Sequence, residues 1–204
     1  MARRLPPRGF GSSTIELASI RTGTKWYRLY SSRYPDPLGF GFSPSRFSDP
    51  RVALPEKDRF GIIYFGSSLK VCFLERVLRD LRNGQLGDVP IPYAELEQLM
   101  CAEVTTVRQL NLVDLRGDNP VKMGVPTDAI RASSHRLGQK WSLAFWLHKQ
   151  RPHGILYPSR LNEEINLALY DVALPNVQVS RMRPFLEYRA EVAALIRQFK
   201  LAIV

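Results

Sequence analysis

The segment FGIIYFGSSLKVCFLERVLRD, residues 60–80, constrains the fold of this chain more than any other stretch. Ile62, Ile63, Tyr64 and Phe65 form a short apolar run bounded by Gly61 and Gly66, the pattern of a buried strand. Ser67 or Ser68 then caps a predicted helix whose apolar face carries Leu69, Cys72, Phe73, Val77 and Leu81, with Asn83-Gly84 as its stop signal. Glu75 sits on that helix with Val71 four residues before it, Cys72 three before it and Leu78 three after it. A carboxylate bordered this way is costly to desolvate unless it has a cationic partner or a task. Arg79, four residues on, is oriented for a helix-surface pair with it. Both a structural and a functional reading of Glu75 stand at this point.

A chain of 204 residues can bury one full hydrophobic core, with at most one elaboration. Its 45% hydrophobic and 24% charged content is that of an ordinary soluble globular protein. The start, MARRLPPRGF, is basic but lacks the apolar run of a signal peptide. The most apolar helical stretch, around Trp141 to His148, is far too short to cross a bilayer. Neither a membrane association nor a metal site is expected. Cys72 and Cys101 are the only cysteines, and His135, His148 and His153 show no zinc-binding spacing with them. So few cysteines point to the reducing cytosol, with Cys72 a small core residue.

The net charge of +10 calls for a partner or a reason. The basic residues, most of them arginine, are spread along the chain without a basic arm or recognition helix. Charge alone leaves nucleic acid, a small polyphosphate ligand and an acidic protein partner open. Arginine's planar fork suits phosphates and carboxylates alike.

Residues 1–24, rich in Arg, Pro, Gly and Ser over their first 20 or so positions, read as a loosely held N-terminal arm before a single domain spanning 25–204. KWYRLY alternates as a strand, with Trp26, Arg28 and Tyr30 on one face. The loop from Ser31 to Arg59 is long for a compact domain, and its aromatics argue against disorder. Within it GFSPSRF sets Arg46 among glycines and serines, a composition suited to a phosphate. A helix is predicted from Pro92 through Leu96, Leu99 and Met100, then strand-like sequence from Val104 to Leu115. Arg116 to Thr127 is turn-rich, and a helix follows over about Ser134–Gln150, its stripe of Leu137, Trp141, Phe145 and His148 reading as core. HGILYPSR and INLALYD read as strands, Val177–Ser180 as a short one, and Pro184–Phe199 as a final amphipathic helix. Strands and helices mix without regular alternation, so the class is α+β, a mixed β-sheet core with flanking helices.

KWYRLY with Arg28, FGIIYFGSSLKVCFLERVLRD with Glu75, and HGILYPSRLNEEINLALYD with Ser159 together resemble the RES domain, named for an Arg, a Glu and a Ser in this order. GFSPSRFSDP matches as well and supplies Arg46. The resemblance implies a fold similar to that of ADP-ribosyltransferase toxins. It also implies a bacterial, cytoplasmic toxin neutralised by an Xre-like antitoxin with a DNA-binding helix-turn-helix region. Such proteins consume NAD+ by breaking its nicotinamide–ribose bond, and ADP-ribose passes to a protein side chain, to phosphate or to water. A protein acceptor is the leading expectation. NAD+ phosphorylase and NAD+ glycohydrolase activity are the alternatives, and a non-catalytic basic nucleic-acid-binding module is the reading from another class. Direct nucleic-acid binding is otherwise not expected, since no such motif is present. The segment between Arg82 and Ser134 is longer than in compact members of the family, and is expected as an insertion at about 82–134.

Under that resemblance the residues take roles. Glu75 stabilises the positive charge that accumulates on the ribose, an effect worth roughly 3–4 kcal/mol of barrier. Arg28 and Arg46 fork onto the pyrophosphate. Tyr64 and, less centrally, Tyr30 are candidates for stacking on an aromatic ring of NAD+, and Ser159 hydrogen-bonds a ribose hydroxyl or positions Glu75. Each also has a plain reading: Tyr64 as core with a satisfied hydroxyl, Ser159 as a turn residue, Arg28 as a cation over an aromatic ring.

Overall fold

A computed structural model describes residues 4–79, 81, 84 and 86–204. The eight-stranded main sheet is built from β1 (Leu17–Ile20), β2 (Lys25–Ser31), β3 (Ile62–Gly66), β5 (Leu99–Thr106), β6 (Leu110–Asp114), β7 (Gly154–Pro158), β8 (Ile165–Tyr170) and β9 (Val177–Pro184). A small parallel pair joins β4 (Val89–Ile91) to β10 (Leu201–Ile203). The helices are α1 (Leu69–Phe73), α2 (Tyr93–Glu97), α3 (Asn119–Lys122), α4 (Thr127–Arg131), α5 (Arg136–Trp146) and α6 (Arg189–Gln198). Among the described residues no helix is long and apolar enough to cross a membrane.

The strand order is β1-β6-β7-β8-β3-β2-β5-β9, antiparallel at every joint except β6 with β7. This is the expected α+β mixed sheet with flanking helices. Its pairing is uneven. β3 runs along β8 from Ile62–Tyr170 to Gly66–Asn166, and β2 along β5 from Lys25–Thr105 to Ser31–Leu99. Between β2 and β3 the only paired position is Tyr27 with Gly66. The sheet is therefore two blades that touch at one point and then part.

Gly66 is required at that point. A Cβ on it would lie 2.4 Å from Val71 Cγ1 and 2.8 Å from Cys72 Sγ, so only glycine lets α1 turn back this tightly on its own strand. Ser68 is the N-cap, accepting the Val71 N–H at 3.1 Å. Cys72 donates its thiol proton to the Tyr27 carbonyl at 3.1 Å, and burial pushes that thiol well above the ordinary range.

Several expectations are corrected by long-range pairing. From Arg4 onward the arm is bound in: β1 pairs with β6, Phe10 is buried edge-on against Trp141 at 5.0 Å, and Trp141 Nε1–H donates to the Arg4 carbonyl. Within the stretch expected as an insertion at about 82–134, β5 lies beside β2 and β6 beside β7 in the main sheet. Leu99 and Met100 open β5 rather than extend α2, because β2 offers them a sheet edge. The helix after Ser68 runs as α-helix only to Phe73 and continues as a π-helical turn over Leu74–Leu78. Leu81 is exposed, and of the expected Asn83-Gly84 stop, Asn83 lies outside the described residues. β9 runs on to Pro184, so the last helix starts only at Arg189, and β10 beyond it was not foreseen.

The loop between β2 and β3 is tied down by Asp49, whose side chain is fully buried. It accepts the Arg51 guanidinium, the Arg51 backbone N–H and the Phe60 backbone N–H at 3.1 Å. Burial alone would raise its pKa, but these bonds from Arg51 and Phe60 outweigh it and hold the carboxyl below its usual value. Two outcomes follow from this packing. Gly66→Ala should cost about 1–3 kcal/mol by urea unfolding, the range for overpacking. Asp49→Asn should cost roughly 1.5–3 kcal/mol at neutral pH. Because the folded pKa is depressed, that difference is fully present above the unfolded value of about 3.9 and should shrink as pH falls below it. Unfolding curves of both proteins between neutral pH and pH 3 check the sign.

Candidate active site

Where the two blades part, a cavity of about 230 Å³ opens between Arg28 and Leu29 of β2 and Tyr64 and Phe65 of β3. Glu75 lines it from the π-helical turn. Such turns re-aim one side chain relative to a regular helix and recur at functional sites. The half-buried Glu75 is held from behind: its Oε1 accepts the Ser159 hydroxyl at 2.8 Å and the Asn166 Nδ2–H at 3.1 Å. Ser159 is fully buried, and its oxygen accepts the Leu161 N–H at 3.1 Å, so its one proton is free to go to Glu75. Among the described residues Oε2 has no hydrogen-bond partner and remains for a ligand.

Four arginines surround this carboxylate: Arg28, Arg46, Arg79 and Arg160 all line the cavity. Arg28 Nη1 donates to the carbonyls of Pro37 and Gly39 at 2.7 and 2.8 Å, so the same guanidinium anchors the start of the β2–β3 loop. Arg46 Nη1 donates to the Ala132 carbonyl at 2.7 Å. Helix α5 comes close enough to back it because of Gly138, where a Cβ would lie 2.5 Å from the Arg46 carbonyl oxygen. Arg79 Nη2 reaches His135 Nε2 at 2.8 Å. Arginine has no acceptor, so that histidine nitrogen is unprotonated. Burial, then the charges of Arg46, Arg79 and Arg160, push His135 below its usual pKa. Burial likewise lowers Arg46, with Tyr157 opposing and then Arg79 and Arg160 adding repulsion. Among the described residues the cavity wall thus carries four arginines and one carboxylate, which suits an anionic ligand.

Arg28, Arg46, Tyr64 and Glu75 are brought together on the cavity wall, and Ser159 stands behind Glu75. Tyr64 does more than line it. Its hydroxyl accepts the Phe47 N–H at 2.9 Å and pairs with Ser45 Oγ at 2.9 Å, clamping the backbone on both sides of Arg46. Tyr30 is not on the cavity wall. It lies in the core with its hydroxyl 2.8 Å from Met182 Sδ and its ring beneath the Arg28 guanidinium, 5.6 Å from the centroid, so it supports Arg28. Arg79 is directed to His135 and not to a surface pair with Glu75. Sequence reasoning missed Asn166 and Arg160. A lone Asn in the apolar strand INLALY and an Arg directly after Ser159 were the available signals.

Residues 19–190 match the RES domain. The chain belongs to the RES domain family. A curated relative, "Probable toxin y4kH" of Sinorhizobium fredii (strain NBRC 101917 / NGR234), is 48% identical over 127 residues, covering 62% of this chain and 100% of that protein. Among solved structures, the crystal structure of the M. tuberculosis MbcT–MbcA toxin–antitoxin complex contains a chain that aligns at TM-score 0.62 and 18% identity. The alignment covers 84% of this chain and 92% of that one, which establishes a shared fold. The RES match includes every residue of the cavity wall and the buried pair behind Glu75.

The clamp on Arg46 is testable without any ligand. Tyr64→Phe keeps the ring but leaves the Phe47 N–H and the Ser45 hydroxyl without it. It should cost about 1–3 kcal/mol in urea unfolding. Hydrogen exchange of the Phe47 amide should speed up by about tenfold or more.

Proposed function

We propose that this RES-domain protein is a toxin that consumes NAD+, breaking the nicotinamide–ribose bond and passing ADP-ribose to an acceptor side chain on a protein. The observation that carries the reading is one carboxylate, Glu75, hydrogen-bonded from behind by Ser159 and Asn166 and faced by four arginines. Loss of neutral nicotinamide from NAD+ leaves positive charge on the ribose and needs no general acid. Glu75 meets that charge with a fixed carboxylate whose free oxygen is already oriented, so little reorganisation is required during the reaction. Arg28 and Arg46 supply forked donors for a pyrophosphate, and Arg79 and Arg160 add to the same field.

The size of the cavity fits a division of labour. Its volume of about 230 Å³ is below the ≈ 300–1,000 Å³ of pockets that enclose a whole drug-sized ligand. In this reading it takes the nicotinamide–ribose end, while the rest of the dinucleotide lies toward the arginines at its rim. The toxin character of the Sinorhizobium relative and the toxin–antitoxin assembly of the M. tuberculosis structure support a neutralising partner for this chain. A net charge of +10 favours acidic surface on that partner, and an Xre-like antitoxin is the form proposed.

Glu75→Gln keeps the shape and removes the charge. It should lower NAD+ turnover by about 10²–10³-fold and relieve growth inhibition, with thermal unfolding close to that of the unmodified protein. Full activity in this variant removes Glu75 from the chemistry. Incubation of the purified protein with labelled NAD+ and bacterial lysate identifies the acceptor. A labelled protein band supports transfer to protein, whereas free ADP-ribose or its 1″-phosphate reassigns the acceptor to water or phosphate.

A further inference from the structure

Both groups that hold Glu75 come from one short stretch of chain, and Glu164 stands between them. Ser159 opens the turn after β7, and Asn166 is the second residue of β8. The Glu164 backbone carbonyl accepts the Ser159 N–H at 2.7 Å, and Glu163 N–H returns a bond to the Ser159 carbonyl at 3.1 Å. The Glu164 side chain points the other way, to the helix that carries Glu75. One carboxylate oxygen accepts the hydroxyl of Ser68, the N-cap of α1, and the other pairs with Lys70 Nζ at 2.9 Å. Ser67 N–H adds a backbone bond to the Ile165 carbonyl at 2.9 Å.

Helix α1 and its π-helical continuation span only residues 69–78, too few to be stable alone. The placement of Glu75 therefore depends on what fixes the first turn. Ser68 makes two bonds with one hydroxyl: its lone pair receives Val71 N–H, and its proton goes to Glu164. Without Glu164 that proton has no fixed direction, and the cap loses its link to the turn that supplies Ser159.

We infer that Glu164 is a positioning residue that locks the Glu75 helix to the Ser159–Asn166 segment, so that the carboxylate and its two donors move as one unit. It touches no substrate. Its kinetic effect rests on the NAD+-cleaving reading above, but its geometric effect does not.

The test uses the full-length protein with Glu164→Ala, Glu164→Gln and, as a control, Arg131→Ala. Arg131 makes the exposed pair with Glu163 on the same turn. Crystal structures give the substrate-independent arm, in which the Ser159 Oγ–Glu75 Oε1 distance of 2.8 Å should lengthen beyond hydrogen-bonding reach in Glu164→Ala alone. NAD+ turnover per folded molecule gives the other arm. Glu164→Ala should lower kcat by about tenfold to a hundredfold, the scale of a misplaced catalytic group. KM should stay within about threefold, because ground-state binding by the arginines is untouched. Glu164→Gln, whose amide oxygen still accepts the Ser68 hydroxyl, should recover most of kcat, and Arg131→Ala should match the unmodified protein. An unchanged Ser159–Glu75 distance in Glu164→Ala, or an unchanged kcat in an active protein, overturns the inference. Absence of NAD+ cleavage in the unmodified protein overturns the proposed activity instead, and the distance then decides the role of Glu164.

Discussion

A single backbone pairing, Tyr27 with Gly66, is where the two blades of the sheet meet, and the site exists because the pairing stops there. Had β2 and β3 continued in register, Arg28 and Leu29 would face β3 backbone across about 5 Å and no cavity would form. The join is held by the turn that follows it. Gly66 has no side chain, so α1 folds back over the joint, and the Cys72 thiol donates to the Tyr27 carbonyl across it. The element that closes one end of the split therefore also carries Glu75 to its wall. Geometry and chemistry have the same origin.

Charge makes the site asymmetric. Burial, with the charges of Arg79 and Arg160 beside it, lowers the proton affinity of Arg46, and the same surroundings keep His135 neutral. Such an arrangement is unfavourable in the empty protein and is tolerated because backbone carbonyls take up part of the donor capacity: Pro37 and Gly39 for Arg28, and Ala132 for Arg46. These oxygens orient the guanidinium groups without neutralising them. An anionic ligand then gains the full field of prepositioned cations.

The strand-turn-helix unit was legible because its signals are local. A β-branched and aromatic run, a glycine and a capping serine each act within a few residues, and Ser68 caps the helix as its sequence predicts. Arg28, Arg46, Tyr64 and Glu75 could be placed on separate elements, but only the sheet register brings them to one wall. What escaped were consequences of distant pairing. Leu17 to Ile20 is an unremarkable stretch until β6 offers it an edge, and Leu99 and Met100 suit a helix until β2 claims them. Tyr30 shares a strand face with Arg28, as alternation requires, yet that face beneath Arg28 is core and not cavity. The π-helical turn has no sequence signature, since its residues keep helical spacing.

Four departures from local preference converge on Glu75. A π-helical turn interrupts its helix, a buried asparagine interrupts an apolar strand, a serine is fully buried at a strand end, and Glu163 holds a left-handed backbone at φ 60°. Each is unfavourable by itself: lost helix geometry, polar desolvation, or backbone strain of about 1 kcal/mol or more. Asn166 and Ser159 offset part of their desolvation cost by donating to Glu75, and the turn containing Glu163 bonds back to the Ser159 backbone. A protein optimised for stability alone would place an apolar residue at each point and a regular helix opposite. Consistency between local and global preference is given up at four points around this carboxylate, which is the pattern expected where function has overridden folding.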